Sequence, residues 1–262
     1  MNIIPTAQKK EFIFSETPNK GKFIIEPLFP GFGLTIGNAL RRVLLSSLDG
    51  VAITSIRIKG ADHEFTTIDG IKEDLVDIIL NLKQIRFDVT GNFEEPIKMQ
   101  LKVKGAKEIK AKDFKKTAGV KVANPDLIIA QATDSKAEFE LEAWIEKGRG
   151  YLPTEMMEHK EKEIGVITID AFFSPIKRVA IDTENVRVGE MTNWDKLILN
   201  LETDSTISCE DALNKATQIL VEQFQFLLEN KIESSEKLEK EKEDLVEEKP
   251  KKKAKSKKEE IA

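Results

Sequence analysis

The chain has one cysteine in 262 residues, Cys209, so no disulfide closes within it and no multi-cysteine zinc site can form. Histidine is nearly as scarce: His63 and His159 are the only two, which leaves little material for general acid–base catalysis. No closely spaced aspartate triad is present to hold magnesium for phosphoryl transfer. An excess of positive charge is missing as well. Lys plus Arg number 41 against 46 Asp plus Glu, a formal charge of -5 with pI near 5.4, so the body lacks the basic signature of a general nucleic-acid binder. No run of about 18 apolar residues occurs, and "MNIIPTAQKKEFIFSETPNKGKF" has no apolar core of signal-peptide length. These absences lead to the expectation of a soluble protein in a reducing cytoplasm.

What is present is a chain long enough for one large or two modest domains. A hydrophobic fraction of 40% suits a globular core, while a charged fraction of 33% exceeds the usual quarter or so and implies a solvated segment. That segment is the C-terminus: residues 231–262 hold 11 Lys and 10 Asp plus Glu with no aromatic and no glycine. So little apolar surface cannot offset the entropy of ordering, and a disordered charged tail is expected. Its block "KPKKKAKSKK" reads first as a solvated solubility element and second as a nonspecific nucleic-acid contact.

The remainder mixes strands and helices without the regular alternation of a parallel sheet, which predicts an α+β fold. "IKMQLKVKG" places Ile97, Met99, Leu101 and Val103 on one face, and "AEFELEAWIEKG" does the same with Ala137, Phe139, Leu141, Ala143 and Ile145. Both read as half-buried antiparallel strands. "VAITSIRIKG", "QIRFDVTG", "LIIAQAT", "IGVITIDAFF", "IKRVAID" and "KLILNLET" read as further strands. "DGIKEDLVDIILNLK" has helical period, with Ile71, Leu75, Ile78, Ile79 and Leu82 on one side and Glu73 and Asp74 in the first turn. In "SCED", Ser208 has capping-box spacing. It opens a helix whose apolar stripe runs through Ala212, Leu213, Ala216, Ile219, Leu220, Phe224, Leu227 and Leu228. So much apolar surface at the end of a domain points to a partner.

The stretch "PGFGLTIGNALRRVLLSS" carries Gly31, Gly33 and Gly37 ahead of two arginines. The spacing is one residue longer than a dinucleotide fingerprint, and no Gly-Lys-Ser/Thr follows as a phosphate loop requires. A tight turn with close packing of the helix start accounts for the glycines better. On a helix over 36–48, Ile36, Leu40, Val43, Leu44 and Ser47 share one side, while Asn38, Arg41, Arg42, Leu45 and Leu48 cover much of the other. Leucines beside arginines on the second face suit a protein interface, where a guanidinium fork bonds oxygens and its stem packs on apolar surface. Cys209 falls in the capping turn with no histidine nearby in sequence, so it reads as a packing residue. "KGRGYLPTE" reads equally as a turn or as a recognition loop.

Taken together, Ile25–Lys83 closely resembles the N-terminal domain of the bacterial RNA polymerase alpha subunit. "KGRGYLP", "IGVITIDAFFSPIKRV" and "NWDKLILNLETDSTISCEDALNKATQIL" follow in the family's order, so the resemblance spans about residues 10 to 229. It implies a dimerisation subdomain of antiparallel strands and two long helices from residues 1–49 and 176–230. An inserted, mainly β subdomain would occupy residues 50–175, ahead of the tail at 231–262. It also implies a non-catalytic, cytoplasmic subunit of a nucleotidyltransferase. Such a subunit homodimerises, scaffolds the beta and beta-prime subunits, binds no cofactor and meets DNA only through the assembled enzyme. By motif, Arg41, Arg42 and Leu45 fall at beta-contacting positions, and Lys83 and Ile169 at beta-prime positions. Phe32 and Val43 match dimerisation positions, and the helix stripes add Ile36, Leu40, Leu44, Leu213, Ala216, Leu220, Phe224 and Leu227. The family usually continues into a C-terminal DNA-binding domain, where only the charged tail stands here. "TDSTISCEDA" replaces the family's common Asn-Gly-Thr turn and the proline before the acidic helix start, with no change of fold expected.

Overall fold

A computed structural model describes residues 7, 9–14, 19–91, 93, 95–157 and 165–229. The expected tail and His159 lie outside the described residues. Two strands, β1 (Lys9–Phe14) and β2 (Lys20–Leu28), precede helix α1 (Phe32–Ser46), and β3 (Asp49–Ile58) follows it. After α2 (Leu75–Leu82) come β4 (Phe87–Val89), β5 (Ile97–Lys104), β6 (Glu108–Lys110), β7 (Val120–Val122), β8 (Ile128–Gln131) and β9 (Glu138–Arg149). Short strands β10 (Tyr151–Leu152), β11 (Ile167–Thr168) and β12 (Ala171–Phe172) lead to a long hairpin of β13 (Ile176–Val188) and β14 (Met191–Thr203). Helix α3 (Cys209–Glu229) follows. The fold is α+β, and the described ladders are antiparallel.

Two large hydrophobic cores organise these elements, with a small third cluster of Ala52, Ala171 and Phe173. One lies under the sheet ordered β11-β3-β9-β5, against Leu75, Ile78, Ile79 and Leu82 of α2. Alternation in β5 and β9 builds it directly: Met99, Leu101 and Val103 sit opposite Ala143, Leu141 and Phe139, and all six are buried. The outer face of the same pair is a charge ladder. Lys98 reaches Glu142 at 2.8 Å, Lys102 pairs with Glu140 and Lys104 with Glu138, while Arg57 and Lys59 of the neighbouring region approach the same glutamates. The second core lies between the sheet ordered β1-β2-β14-β13 and the helices. It joins Phe23, Leu199 and Leu201 to Leu40 and Leu44 of α1 and to Ala212, Leu213 and Ala216 of α3.

Several boundaries differ from those read in the sequence. The first helix begins at Phe32 rather than near Ile36, and it ends at Ser46, so Leu48 drops into the second core instead of lying on the arginine face. The second helix is shorter: Asp74 is its N-cap, accepting from the Asp77 amide at 2.8 Å, and Glu73 precedes it to accept from the Gln131 amide at 2.7 Å. Strands β1 and β2 were not anticipated, and "IGVITIDAFF" divides into β11 and β12. The cap of α3 has the expected spacing, with Ser208 Oγ accepting from the Asp211 amide at 3.0 Å. The chain forms two compact units, the first ending at Leu220 and the second beginning at Val221.

Candidate assembly surfaces

The glycine turn leads into α1 through Gly31, whose φ of +88° is the left-handed conformation that other residues resist. A helix start of this kind exposes amide groups that could hold an anion. Here the chain supplies the anion itself. Asp195 Oδ2, on β14, accepts from the amides of both Gly31 and Gly33 at 2.9 Å. The remaining two glycines lie inside the helix and permit close approach to the sheet. A Cβ on Gly37 would stand 2.9 Å from methyl groups of Ile181 and Leu197. The amides a phosphate would need are thus taken up by Asp195.

Along α1 the two faces divide as expected, with one refinement. Leu40 and Leu44 are consumed by the second core, and Ile36 and Val43 flank it half-buried. Opposite them, Arg41, Arg42 and Asn38 are exposed and Leu45 is partly so. The Arg42 carbonyl accepts from Ser46 Oγ at 2.8 Å, but neither the Arg41 nor the Arg42 guanidinium makes a hydrogen bond or ion pair among the described residues. Phe32 is 39% exposed and meets the Phe29 ring edge-on at 6.1 Å, and Phe29 in turn meets Trp194 at 5.9 Å. Phe29 and Trp194 therefore extend the surface around Phe32. Phe29 was readable as an aromatic three residues ahead of Phe32, but Trp194 arrives only through the β2–β14 pairing.

On α3, Leu213 and Ala216 are buried in the second core and Leu220 is half-buried. Leu213 and Ala216 thus lie in the interior of the chain's own fold. Beyond Val221 the stripe is open to solvent, with Phe224 at 60%, Leu227 at 68% and Leu228 at 85% exposure.

The other cluster surrounds the end of α2. Lys83, the C-cap residue, reaches Asp170 Oδ2 at 3.2 Å, and Asp170 Oδ1 accepts from the Thr154 amide at 3.0 Å. The Thr154 amide first, and then Lys83, hold the Asp170 carboxyl below its ordinary value. Asp170 thereby ties α2 to "KGRGYLPTE", which forms a turn at Gly150, strand β10 and a 3-10 turn over Thr154–Met156. Tyr151 and Phe172 pair across β10 and β12, and both are exposed. Ile169, in contrast, is 3% exposed within the first core, so it underlies Asp170 instead of facing outward. Asp170 was the residue that sequence reasoning passed over, although it is adjacent to Ile169.

A model of the RNA polymerase Rpb3/RpoA insert domain matches residues 56–174. The DNA-directed RNA polymerase subunit alpha of Flavobacterium psychrophilum is 45% identical over 224 residues, 85% of this chain and 68% of that protein. Those of Bifidobacterium adolescentis and Bacteroides fragilis are 46% identical over 210 residues and 45% over 213. These matches take in 80% and 81% of this chain, and 62% and 64% of the two relatives. The chain belongs to the bacterial RNA polymerase alpha-subunit family. Its members named above are subunits of a nucleotidyltransferase, and the chain spans a little under two thirds to just over two thirds of their length.

In this family member the two scarce reactive groups among the described residues, His63 and Cys209, make local contacts. His63 Nδ1 lies 3.1 Å from Thr66 Oγ1 in a local turn. Cys209 is buried, its Sγ 3.7 Å from the Leu201 carbonyl oxygen, and burial pushes its thiol above the ordinary value despite its place at a helix start. Among the described residues no His, Cys, Asp and Glu cluster is arranged to hold a metal ion, and no helix is long and apolar enough to cross a membrane.

Proposed function

We propose that the chain is a non-catalytic, cytoplasmic assembly subunit of RNA polymerase that homodimerises and mounts the beta and beta-prime subunits. The dimerisation part comprises residues 1–49 and 176–230, and residues 50–175 form the insert, a division supported by the two separate cores. The dimer surface draws on Phe32, Ile36 and Val43 of α1, and on Leu220, Phe224 and Leu227 of α3. Arg41, Arg42 and Leu45 meet beta, while Lys83 and Asp170, backed by Ile169, meet beta-prime. One observation carries this reading: α1 gives Leu40 and Leu44 to its own core yet leaves Leu45 and two arginines exposed, the guanidinium groups without described partners. The open apolar end of α3 supports the dimer, since burying a side chain of this size stabilises by about 1.5–3 kcal/mol.

Sedimentation of the full chain should show a dimer at micromolar concentration, and a stable monomer would refute it. Arg42→Ala should leave the dimer intact and weaken capture of beta by about 2–5 kcal/mol, the usual range for truncating a buried interface charge. Capture unchanged by substitution of either Arg41 or Arg42 would count against the assignment.

A further inference from the structure

The chain passes between the two cores twice, once between Leu48 and Ile53 and once between Ile169 and Ile176. Phe173 lies at the second crossing, pressed against Gly50 and Gly148, which face each other across β3 and β9. A Cβ on Gly50 would stand 1.7 Å from the Phe173 carbonyl oxygen, and one on Gly148 would stand 2.6 Å from its ring. Beside this plug the seam is not filled. A cavity of about 250 Å³ opens there, lined by Asp49, Val51, Phe87, Phe173, Asp204 and Lys215. On that side of the seam, packed side chains do less to fix the angle between the two parts.

An ion pair spans this seam. Arg86 belongs to the insert side, where its amide donates to Asn124 Oδ1 at 2.9 Å. Its Nε lies 3.4 Å from Asp204 Oδ2, just past β14. The guanidinium also donates from Nη1 to the Phe172 carbonyl at 3.3 Å and lies over the Phe172 ring at 5.7 Å. Asp204 belongs to the other part, where its Oδ1 accepts from the Thr206 amide at 3.0 Å, and its amide donates at 3.0 Å to the carbonyl of Pro175, the last residue of the insert. The side chains are only 18% and 4% exposed. Burial lowers the affinity of Arg86 for its proton, and Asp204 opposes that. A buried pair of this kind adds little over apolar packing, but removing one member strands a charge. Its distinctive contribution is directional, because the guanidinium fork fixes both partners.

We propose that Arg86 and Asp204 are positioning residues that hold the insert at one angle to the helix-bearing part. The arginine face of α1 and the Lys83–Asp170 face are then presented to the large subunits in a single geometry. The second half of this statement rests on the assembly function proposed above.

The test uses the full chain with Ser135→Cys and Asn185→Cys, both exposed positions, spin-labelled and diluted into excess unlabelled chain. Buried Cys209 stays unlabelled. The parent should give one narrow distance between labels, and Arg86→Ala a broad or shifted one. In assembly, Arg86→Ala should capture beta normally and add beta-prime about tenfold less well, equivalent to about 1.4 kcal/mol of coupling. Asp204→Asn, which keeps an acceptor for Thr206, carries the same test if Arg86→Ala does not fold. An unchanged distance distribution overturns the proposal. So does a parallel fall in beta capture and beta-prime addition, which would mark a merely structural loss. A parent chain that captures neither large subunit overturns the assembly function, while the label distances still decide the seam.

Discussion

Asp195 is the residue on which the start of α1 depends. Its Oδ2 accepts two amide hydrogen bonds of 2.9 Å from a position on β14, so it serves as the N-cap that Gly31 lacks. Removing a side-chain cap costs about 0.5–2 kcal/mol. Loss of negative charge at a helix N-terminus costs about 0.3–1 kcal/mol of that order by itself. Asp195→Asn keeps an acceptor and loses only the charge, so it should cost less than Asp195→Ala, which loses both. For a body of this size each kcal/mol corresponds to about 2–4 °C in melting temperature. Thermal unfolding followed by circular dichroism should therefore rank parent above Asp195→Asn above Asp195→Ala. Adding phosphate should leave the parent unchanged, because the amides are occupied. An Asp195→Ala protein as stable as the parent, or phosphate stabilisation of the parent, would refute the reasoning.

Gly37→Ala sets two effects against each other. Helix propensity favours alanine by about 1 kcal/mol, but overpacking against Ile181 and Leu197 at 2.9 Å costs about 1–3 kcal/mol. A net loss is expected in urea unfolding, since both neighbours are core side chains of the sheet. Ser205 adopts φ of +78°, so Ser205→Gly should stabilise by roughly 1 kcal/mol or less, seen as a higher urea midpoint. Glu138, Glu140 and Glu142 are each held below the ordinary value of 4.5, chiefly by hydrogen bonds from Lys104, Lys102 and Lys98. Folded values below unfolded ones mean that this contribution is complete above about pH 4.5 and is lost as pH falls through the lower folded values. Acid titration of Glu140→Gln against the parent should show converging stabilities below that window, and a constant difference would contradict the pairing.

Much of the local structure was legible because its cause is local. Alternation at Met99, Leu101 and Val103 sets one face of β5 inward whatever lies above it. Ser208 reaches an amide three residues away, so its cap needs nothing from the rest of the chain. The start of α1 was misread for the opposite reason. Gly33 and Gly37 weaken helix propensity, and the cap that compensates comes from 164 residues away. Glu73 looked like a first-turn acid, but the Gln131 amide claims it across 58 residues. Ile169 could be placed in a motif, yet only the packing of the first core shows that its side chain points inward and leaves Asp170 to face outward.

The amino-acid sequence by itself determined the α+β class, the alternating strands, the apolar stripe of α3 and the two-faced pattern of α1. Each follows from periodicity along a continuous segment, which backbone geometry converts directly into a buried and an exposed side. Tertiary structure alone decided what meets at the seam and at the helix start. Gly31 and Asp195 are brought together through the pairing of β2 with β14, and Arg86 and Asp204 by the packing of elements distant in sequence, and no local pattern records which distant carboxylate a given amide or guanidinium will meet.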